Sequence, residues 1–582
     1  MNKLFKTLRW LLPCLFVPAI FLFFGCLYPH HLHYHEQFQL FLTTPEYFFE
    51  MILRPGGMAD YLGTFITQFF LFSRVGALLM ALFLGGMYVL LRAISQRIMT
   101  SKASIALSFI PPFFYWILLC NENFLPGGII AILLPLVFWL LSLIIKNNKK
   151  QMLFVFILTP ILYWFAGGSV ILFTLGYAIT QRKYIFRGVA ALLLTVALFL
   201  LAKVLLSQFP LPRLIYGADY FRFPASYPPA VWILWLLCLI IPSVSALLTR
   251  LLKTPVRETI AAVLLSLAVF IPGTYMLAVN TNLQKEEIMA YDHYVRMQQW
   301  DKAIQRADKK MPTSPLSVAC LNLSLCKSGK MSDYMFWYYQ NGPEGLIPTF
   351  TRDFTLPMIT GEIYYHLGFI NTSQRFAFEA MESLPNYWKS GRALKRLAET
   401  NLINREYKVA QKYLHILEHT LFYKAWAKRT SEYLGNEELI ASHKEWNTLR
   451  KYRSKTDFLD SEQEKDMMLG ILLQQDLSHY MAYEYLLAYC LLTKDLDRFM
   501  QYFLLGSELR YARLPYSYQE ALLYLWSLSH DNPIQTVPYP ISDHIKRNLL
   551  SYQNTYVNAL RPEEALKKNH ANTYWYYLHF RK

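Results

Sequence analysis

The chain has 582 residues, 54% of them apolar and 17% charged, with a formal net charge of +17. The charge is unevenly spread: residues 1–280 hold 20 basic and 7 acidic residues, and residues 281–582 hold 37 and 33. Long uncharged runs beside a charged second half exclude a disordered, a collagen-like and a wholly soluble protein, and they predict two dissimilar parts.

A spanning helix needs about 20 largely apolar residues. In chain order such runs fall near 8–27, 66–91, 103–120, 124–145, 151–166, 169–180, 186–206, 230–248 and 258–279, which predicts about nine spans in an all-α transmembrane domain, residues 1–280. The fifth and sixth runs are short and broken at Gly167-Gly168, so 151–180 forms either two short spans or one re-entrant hairpin. More spans follow the first run at once, so that run is expected to be retained as a signal anchor.

Five basic clusters flank these runs: Lys3, Lys6 and Arg9; Arg92, Arg97 and Lys102; Lys146, Lys149 and Lys150; Arg182, Lys183 and Arg187; Arg250, Lys253 and Arg257. They share one side if 151–180 crosses twice, and the positive-inside rule makes that side cytoplasmic. The N-terminus is then inside the cell's plasma (inner) membrane. Loops 28–65 and 207–229, and everything after residue 280, are outside. Orientation accounts for the basic excess. No basic stripe interleaved with aromatics marks a soluble domain, so nucleic acid is not an expected partner. Of seven cysteines four lie in or beside apolar runs, and the three in the soluble half are too few and too odd for a disulfide framework, which leaves a Cys320–Cys326 bridge as the alternative to free thiols. Cys320 and Cys326 are expected to be two buried thiols on one helix.

The first outer loop carries the densest chemistry. Thr44 is placed to cap a short helix with Pro45 in its first position, and Pro55-Gly56-Gly57 ends it. Tyr47, Phe48, Met51 and Ile52 share one face of that helix, and Glu46 and Glu50 lie one turn apart on another, as in a helix lying in the membrane interface. A second amphipathic stretch, Glu36 to Leu42, precedes it. Upstream, His30, His31, His33, His35 and Glu36 fall within seven residues. Imidazole and carboxylate suit a divalent metal or an acid/base pair, which makes His31 and His33 candidate metal ligands and His35 with Glu36 a candidate catalytic pair. A polar interfacial loop is the plainer reading. Arg54, Arg213 and Arg222, with Asp219, stand in the same outer loops, and Arg74 lies within the second span. Guanidinium forks suit phosphate oxygens, so these four arginines are candidate lipid-phosphate ligands, with snorkelling as the alternative use.

From about residue 284 the pattern is helical, without strand alternation. The stretches 294–315, "YVRMQQWDKAIQRADKKMPTSP", 393–421 and 477–505 each form a helix–turn–helix unit with alternating large and small residues, and they resemble tetratricopeptide repeats. The resemblance implies a soluble extracytoplasmic α-solenoid over 281–582 whose concave face binds a protein or glycan ligand. The soluble half shows no Gly-rich phosphate loop, no G-x-S-x-G and no HExxH.

The segments "YHEQFQLF" (34–41), "PEYFFEMILRPGG" (45–57) and "YWFAGGSVILF" (163–173) complete a pattern. A multi-span domain with a long first outer loop, an acid soon after the first span, interfacial helices and a trailing outer domain resembles the C-type membrane glycosyltransferases over residues 1–280. The whole layout also resembles an uncharacterised family of bacterial envelope proteins. The first resemblance implies a polyprenyl-phosphate sugar donor, an envelope acceptor and a carboxylate acting as base or metal ligand. Glu36 is the position that fits, with His35 where a second acid often stands. A non-catalytic scaffold acting through its helical repeats, and a lipid or glycan transporter, are the other two function classes.

Overall fold

The computed structural model describes residues 2–581 except 182–183, 224, 253, 352, 386–387, 455–460, 462, 507–510 and 512; side chains are described for all of these but 2–6, 8 and 255. Lys3, Lys6, Arg182, Lys183 and Lys253 of the basic clusters therefore lie, wholly or by their side chains, outside the described residues. The protein is all-α, 76% helical, with no strand among the described residues. It divides into two compact units. The first comprises Met1–Glu286 together with two later segments, Pro385–Gly391 and His419–Lys424; the second comprises Glu287–Leu384, Arg392–Glu418 and Ala425–Lys582.

In the first unit the helices are α1 (Asn2–Leu22, continued by a π-helical turn to Leu27), α2 (Pro29–Phe38), α3 (Pro45–Ile52), α4 (Gly57–Gln68), α5 (Ser73–Ile98), α6 (Ser104–Leu107), α7 (Ile110–Leu118), α8 (Gly128–Ile144), α9 (Asn148–Ala166), α10 (Ile171–Thr180), α11 (Ile185–Leu205), α12 (Leu211–Tyr216), α13 (Pro229–Leu252) and α14 (Pro255–Asn280). Among the described residues, six segments are long and apolar enough to cross a membrane: Arg9–Leu27, Ser73–Ile98, Asn148–Thr180, Ile185–Leu205, Pro229–Leu252 and Val256–Asn280. The runs expected at 103–120 and 124–145 form shorter apolar helices, because Pro111 and Pro112 restart the chain after α6 and Pro126-Gly127 delay the start of α8. The second span begins at Ser73 rather than 66, after a 3-10 turn over Phe69–Leu71 and an extended Phe72. Side chains such as Leu193, Leu200 and Val204 on α11 and Leu264 and Ile271 on α14 stand more than half exposed, a surface suited to lipid rather than water.

Residues 151–180 turn back on themselves. Gly167 takes φ +69° between α9 and a 3-10 turn over Gly167–Val170. At the far ends of the two arms the Gln181 amide donates to Gln151 Oε1 at 3.0 Å. Although the whole run is apolar enough for one long span, the Gln151–Gln181 contact makes it a hairpin. Its tip rests on the outer loops: Trp164 Nε1 donates to the Ile52 carbonyl at 2.9 Å, Gly56 N donates to the Trp164 carbonyl at 2.8 Å, and Tyr163 OH donates to the Leu214 carbonyl at 3.2 Å. Its base lies with Arg97 and Asn148 at the other end of the helices.

The second unit is a run of helices joined by short turns. The expected helix pairs form: Leu283–Arg296 with Trp300–Lys309, Gly391–Ile403 with Tyr407–Glu418, and Tyr480–Thr493 with Leu496–Leu505, the last two turning at Arg405 (φ +67°) and Lys494 (φ +62°). The described residues between a 3-10 turn at Gly342–Gly345 and the helix Thr355–Leu367 are irregular. Inside this unit Arg392 makes a two-pronged bond to Asp292 (2.7 and 2.8 Å), and Arg396 holds Glu362 at 2.6 Å, so these four buried charges are paired. All seven cysteines are free, with Cys320 and Cys326 buried on Pro315–Lys327 as expected.

Candidate functional site

The first unit contains a cleft of about 880 Å³ built by its loop segments. The Thr44 hydroxyl accepts from Tyr47 N, and with Pro45 at the first position this starts α3 as the sequence predicts. The helix then carries Glu46 and Glu50 to the cleft on its exposed side, with Tyr47 and Met51 beside them. Neither glutamate has a hydrogen bond or ion pair among the described residues. Arg54 follows at the end of α3. Arg213 comes from α12, Tyr227 from the segment before α13, and Trp388 and Lys389 from the later segment Pro385–Gly391. That segment is fixed here by the backbone bond from Leu40 N to the Lys389 carbonyl at 3.1 Å. Gln39 lines the same cleft, and its Oε1 is buried without a hydrogen-bond partner.

Beneath the cleft two arginines and two aspartates lock the loops together. Arg54 Nη2 contacts Asp60 Oδ2 at 2.6 Å and Asp219 Oδ2 at 2.9 Å, while Arg54 Nη1 donates to the Gly217 carbonyl at 2.9 Å. Arg213 Nη1 pairs with Asp219 Oδ1, and Asp219 N donates to Asp60 Oδ1 at 2.7 Å. The two acids are pushed apart by their surroundings. Burial, then the neighbouring Asp219 charge, raises the Asp60 carboxyl well above the usual carboxylate range, against the pull of Arg54 and Arg213. Burial acts upward on Asp219 too, but Arg213 and Arg54 together overcome it and hold that carboxyl low. Burial also pushes the Tyr47 phenol up to about 12, so it stays a hydrogen-bonding hydroxyl, 3.2 Å from Thr64 Oγ1.

The residues picked out in the sequence separate into three groups. Arg54 and Arg213 meet at the cleft. Glu36, His35 and Arg222 are buried in and around α2 and do not line it. Glu36 Oε1 accepts from Tyr423 OH at 2.8 Å, and Arg222 Nη1 donates to Tyr34 OH at 3.1 Å with its guanidinium 5.0 Å from the Phe38 ring. Arg74 is exposed at the start of α5. Of the histidines, His31 Nε2 lies 3.3 Å from His35 Nε2, and His33 Nδ1 lies 3.4 Å from His30 Nδ1. The helix thus pairs i with i+4 and i with i+3, and does not bring His31 and His33 together. Burial lowers His31 to about 4 and His35 well below its ordinary value, which keeps both rings neutral.

Five residues at or beneath the cleft are not singled out as site residues by the sequence. Glu46 and Glu50 were legible as a polar face, but nothing local told that face from a solvated one. Asp60 is a lone acid in the first turn of α4, where helix-end electrostatics alone would account for it. Trp388 and Lys389 join from more than 330 residues away, with no signal in the intervening sequence.

No curated protein and no solved structure matches the chain. A family of unknown function, DUF6057, matches residues 3–581, and the chain belongs to that family.

Proposed function

We propose that the protein is an integral membrane transferase of the C-type glycosyltransferase kind, which moves a sugar from a polyprenyl-phosphate donor to an envelope acceptor. The observation that carries this reading is the cleft beside α3, lined by two carboxylates without a partner among the described residues, Glu46 and Glu50, together with Lys389, Arg54, Arg213 and the aromatic residues Tyr47, Tyr227 and Trp388. A carboxylate in this position takes the proton of the acceptor hydroxyl as its oxygen bonds to the anomeric carbon. The bond from that carbon to the donor phosphate breaks, and its electron pair leaves on the phosphate oxygen, where Lys389 and the arginines offset the charge. Aromatic faces suit sugar rings. Glu46 and Glu50, one helical turn apart, also offer the oxygen donors a hard divalent cation takes. On this reading Glu36 supports the wall through Tyr423, and the base is Glu50 or Glu46.

In the same proposal the nine apolar runs all cross the plasma membrane and the N-terminus is cytoplasmic. The cleft and the second unit are extracytoplasmic, and the helix pairs of the second unit form a tetratricopeptide-like surface for a protein or glycan ligand. The test is native mass spectrometry of the full chain purified from its own membrane, alongside Glu50→Gln, Glu46→Gln and Glu36→Gln. A sugar-charged polyprenyl phosphate that accumulates on Glu50→Gln or Glu46→Gln, in protein that melts like wild type, supports transfer at this cleft. Absence of any phosphate-linked lipid from every folded variant overturns it in favour of the non-catalytic scaffold.

A further inference from the structure

The base of the α9–α10 hairpin forms a second cavity, distinct from the cleft. Gln151 and Trp164 are 13 residues apart on α9, which sets the two about 20 Å apart along the helix. The cavity has a volume of about 450 Å³ and is lined by Arg97 at the end of α5, Asn148 and Gln151 at the start of α9, Thr180 and Gln181 at the end of α10, and Tyr184 just before α11. Its polar wall is built rather than incidental. Gln151 and Gln181 are both buried, Gln181 donates to Gln151 Oε1 at 3.0 Å, and Gln151 donates to the Ser142 carbonyl at 2.8 Å. Beside it the Arg187 guanidinium lies 4.0 Å from the centre of the Tyr184 ring, and its Nε and Nη1 are buried with no hydrogen-bond partner among the described residues. Buried guanidinium N–H groups require acceptor oxygens. No acidic side chain is among the described residues that line the cavity, and residues 92–187 contain nine basic residues and a single acid, Glu122, which pairs with Lys285.

We infer that this cavity binds a phosphate group, presented either by the headgroup of an anionic membrane phospholipid or as a free anion, with Arg97 and the Arg187 fork facing its oxygens and the amides of Asn148 and Gln181 completing its shell. A phosphate offers several acceptors in the geometry a guanidinium matches, and a site at the base of an apolar hairpin lies where headgroups lie. Positive-inside residues alone explain the charges, but they do not explain a polar cavity with orphaned donors beside it.

The experiment compares thermal unfolding of the full chain in nanodiscs of phosphatidylcholine with and without phosphatidylglycerol, and in detergent with and without inorganic phosphate. Wild type is set beside Arg97→Ala, whose side chain is exposed and whose loss leaves the helices packed, and Lys146→Ala, an exposed charge at the same end that does not line the cavity. A stabilisation by phosphatidylglycerol that Arg97→Ala weakens about tenfold in lipid concentration, and Lys146→Ala leaves in place, supports a lipid phosphate. The same pattern with inorganic phosphate supports a soluble one. Equal losses from Arg97→Ala and Lys146→Ala, or no stabilisation by either phosphate source, overturn the inference.

Discussion

Asp219 is the residue on which the loops around the cleft converge. It takes Arg213 on one oxygen and Arg54 on the other, and its own N–H is capped by Asp60. Removing one partner from a buried charge cluster costs more than the cluster contributes, because the remaining charges stay desolvated. Asp219→Asn leaves Arg213 facing a neutral amide and Arg54 with Asp60 as its remaining carboxyl partner, and the expected loss is about 3–5 kcal/mol, read as a large fall in melting temperature of the detergent-purified protein. Asp60→Asn should cost clearly less, since burial and the Asp219 charge already favour the protonated carboxyl that an amide imitates. A larger loss from Asp60→Asn than from Asp219→Asn would sink this division of roles. At this scale the sequence was legible by residue type and blind to pairing. Arg54, Arg213 and Asp219 were picked out for their charge and their shared side. That the same aspartate pairs with both arginines follows only from the fold, which brings residues 54 and 219 within 2.9 Å.

The α9–α10 hairpin shows how an element is made by what it touches. Its two arms are apolar enough to pass as one long span, and only the glycines at the tip distinguish the alternatives. Gly167 takes a positive φ, Gly217 on the facing loop takes φ +72°, and a Cβ on Gly217 would lie 2.3 Å from Gly167 Cα. Two backbones meet here with no room for a side chain. Gly217→Ala must therefore both strain the backbone and push the tip from the loop carrying Asp219. The expected cost is more than about 1–3 kcal/mol, with weakened binding in the cleft. Gly86→Ala is the matched control: no atom lies within 4 Å of its Cβ position inside α5, so the substitution should be neutral or stabilise by about 0.5–1 kcal/mol. If the two variants melt alike, the close approach is not what closes the hairpin. The α3 cap, by contrast, was fully readable, because Thr44-Pro45 acts on its own next three residues. The start of the second span was misplaced by seven residues, because Phe69 to Phe72 are as apolar as the span they precede and break the helix by conformation rather than by composition.

On the scale of the whole molecule, the charge asymmetry divides the sequence at residue 280, because burying a chain in lipid and burying it in its own core demand different compositions, and the leading segment of the first compact unit runs from Met1 to Glu286. What composition could not show is that Pro385–Gly391 and His419–Lys424 belong with the first unit; their membership rests on a few contacts, such as Tyr423 to Glu36 and Phe422 to the Phe69 ring at 5.4 Å, each between residues more than 350 positions apart. Composition also proposed sidedness, and here the hairpin supplies an independent handle. Its tip is tied to the loop that follows Glu50, and its base begins two residues after Lys149, so Glu50 and Lys149 mark the two ends of one element. Both side chains are exposed, whereas Cys14 and Cys26 are the only exposed native thiols among the described residues. In a background lacking those two, Glu50→Cys should react with a membrane-impermeant maleimide in intact spheroplasts, and Lys149→Cys only after the membrane is opened. The reverse pattern would put the cleft in the cytoplasm and remove the outer-face donor from consideration. Labelling of both from one side would mean that the hairpin does not cross, and the basic clusters would then no longer share a side.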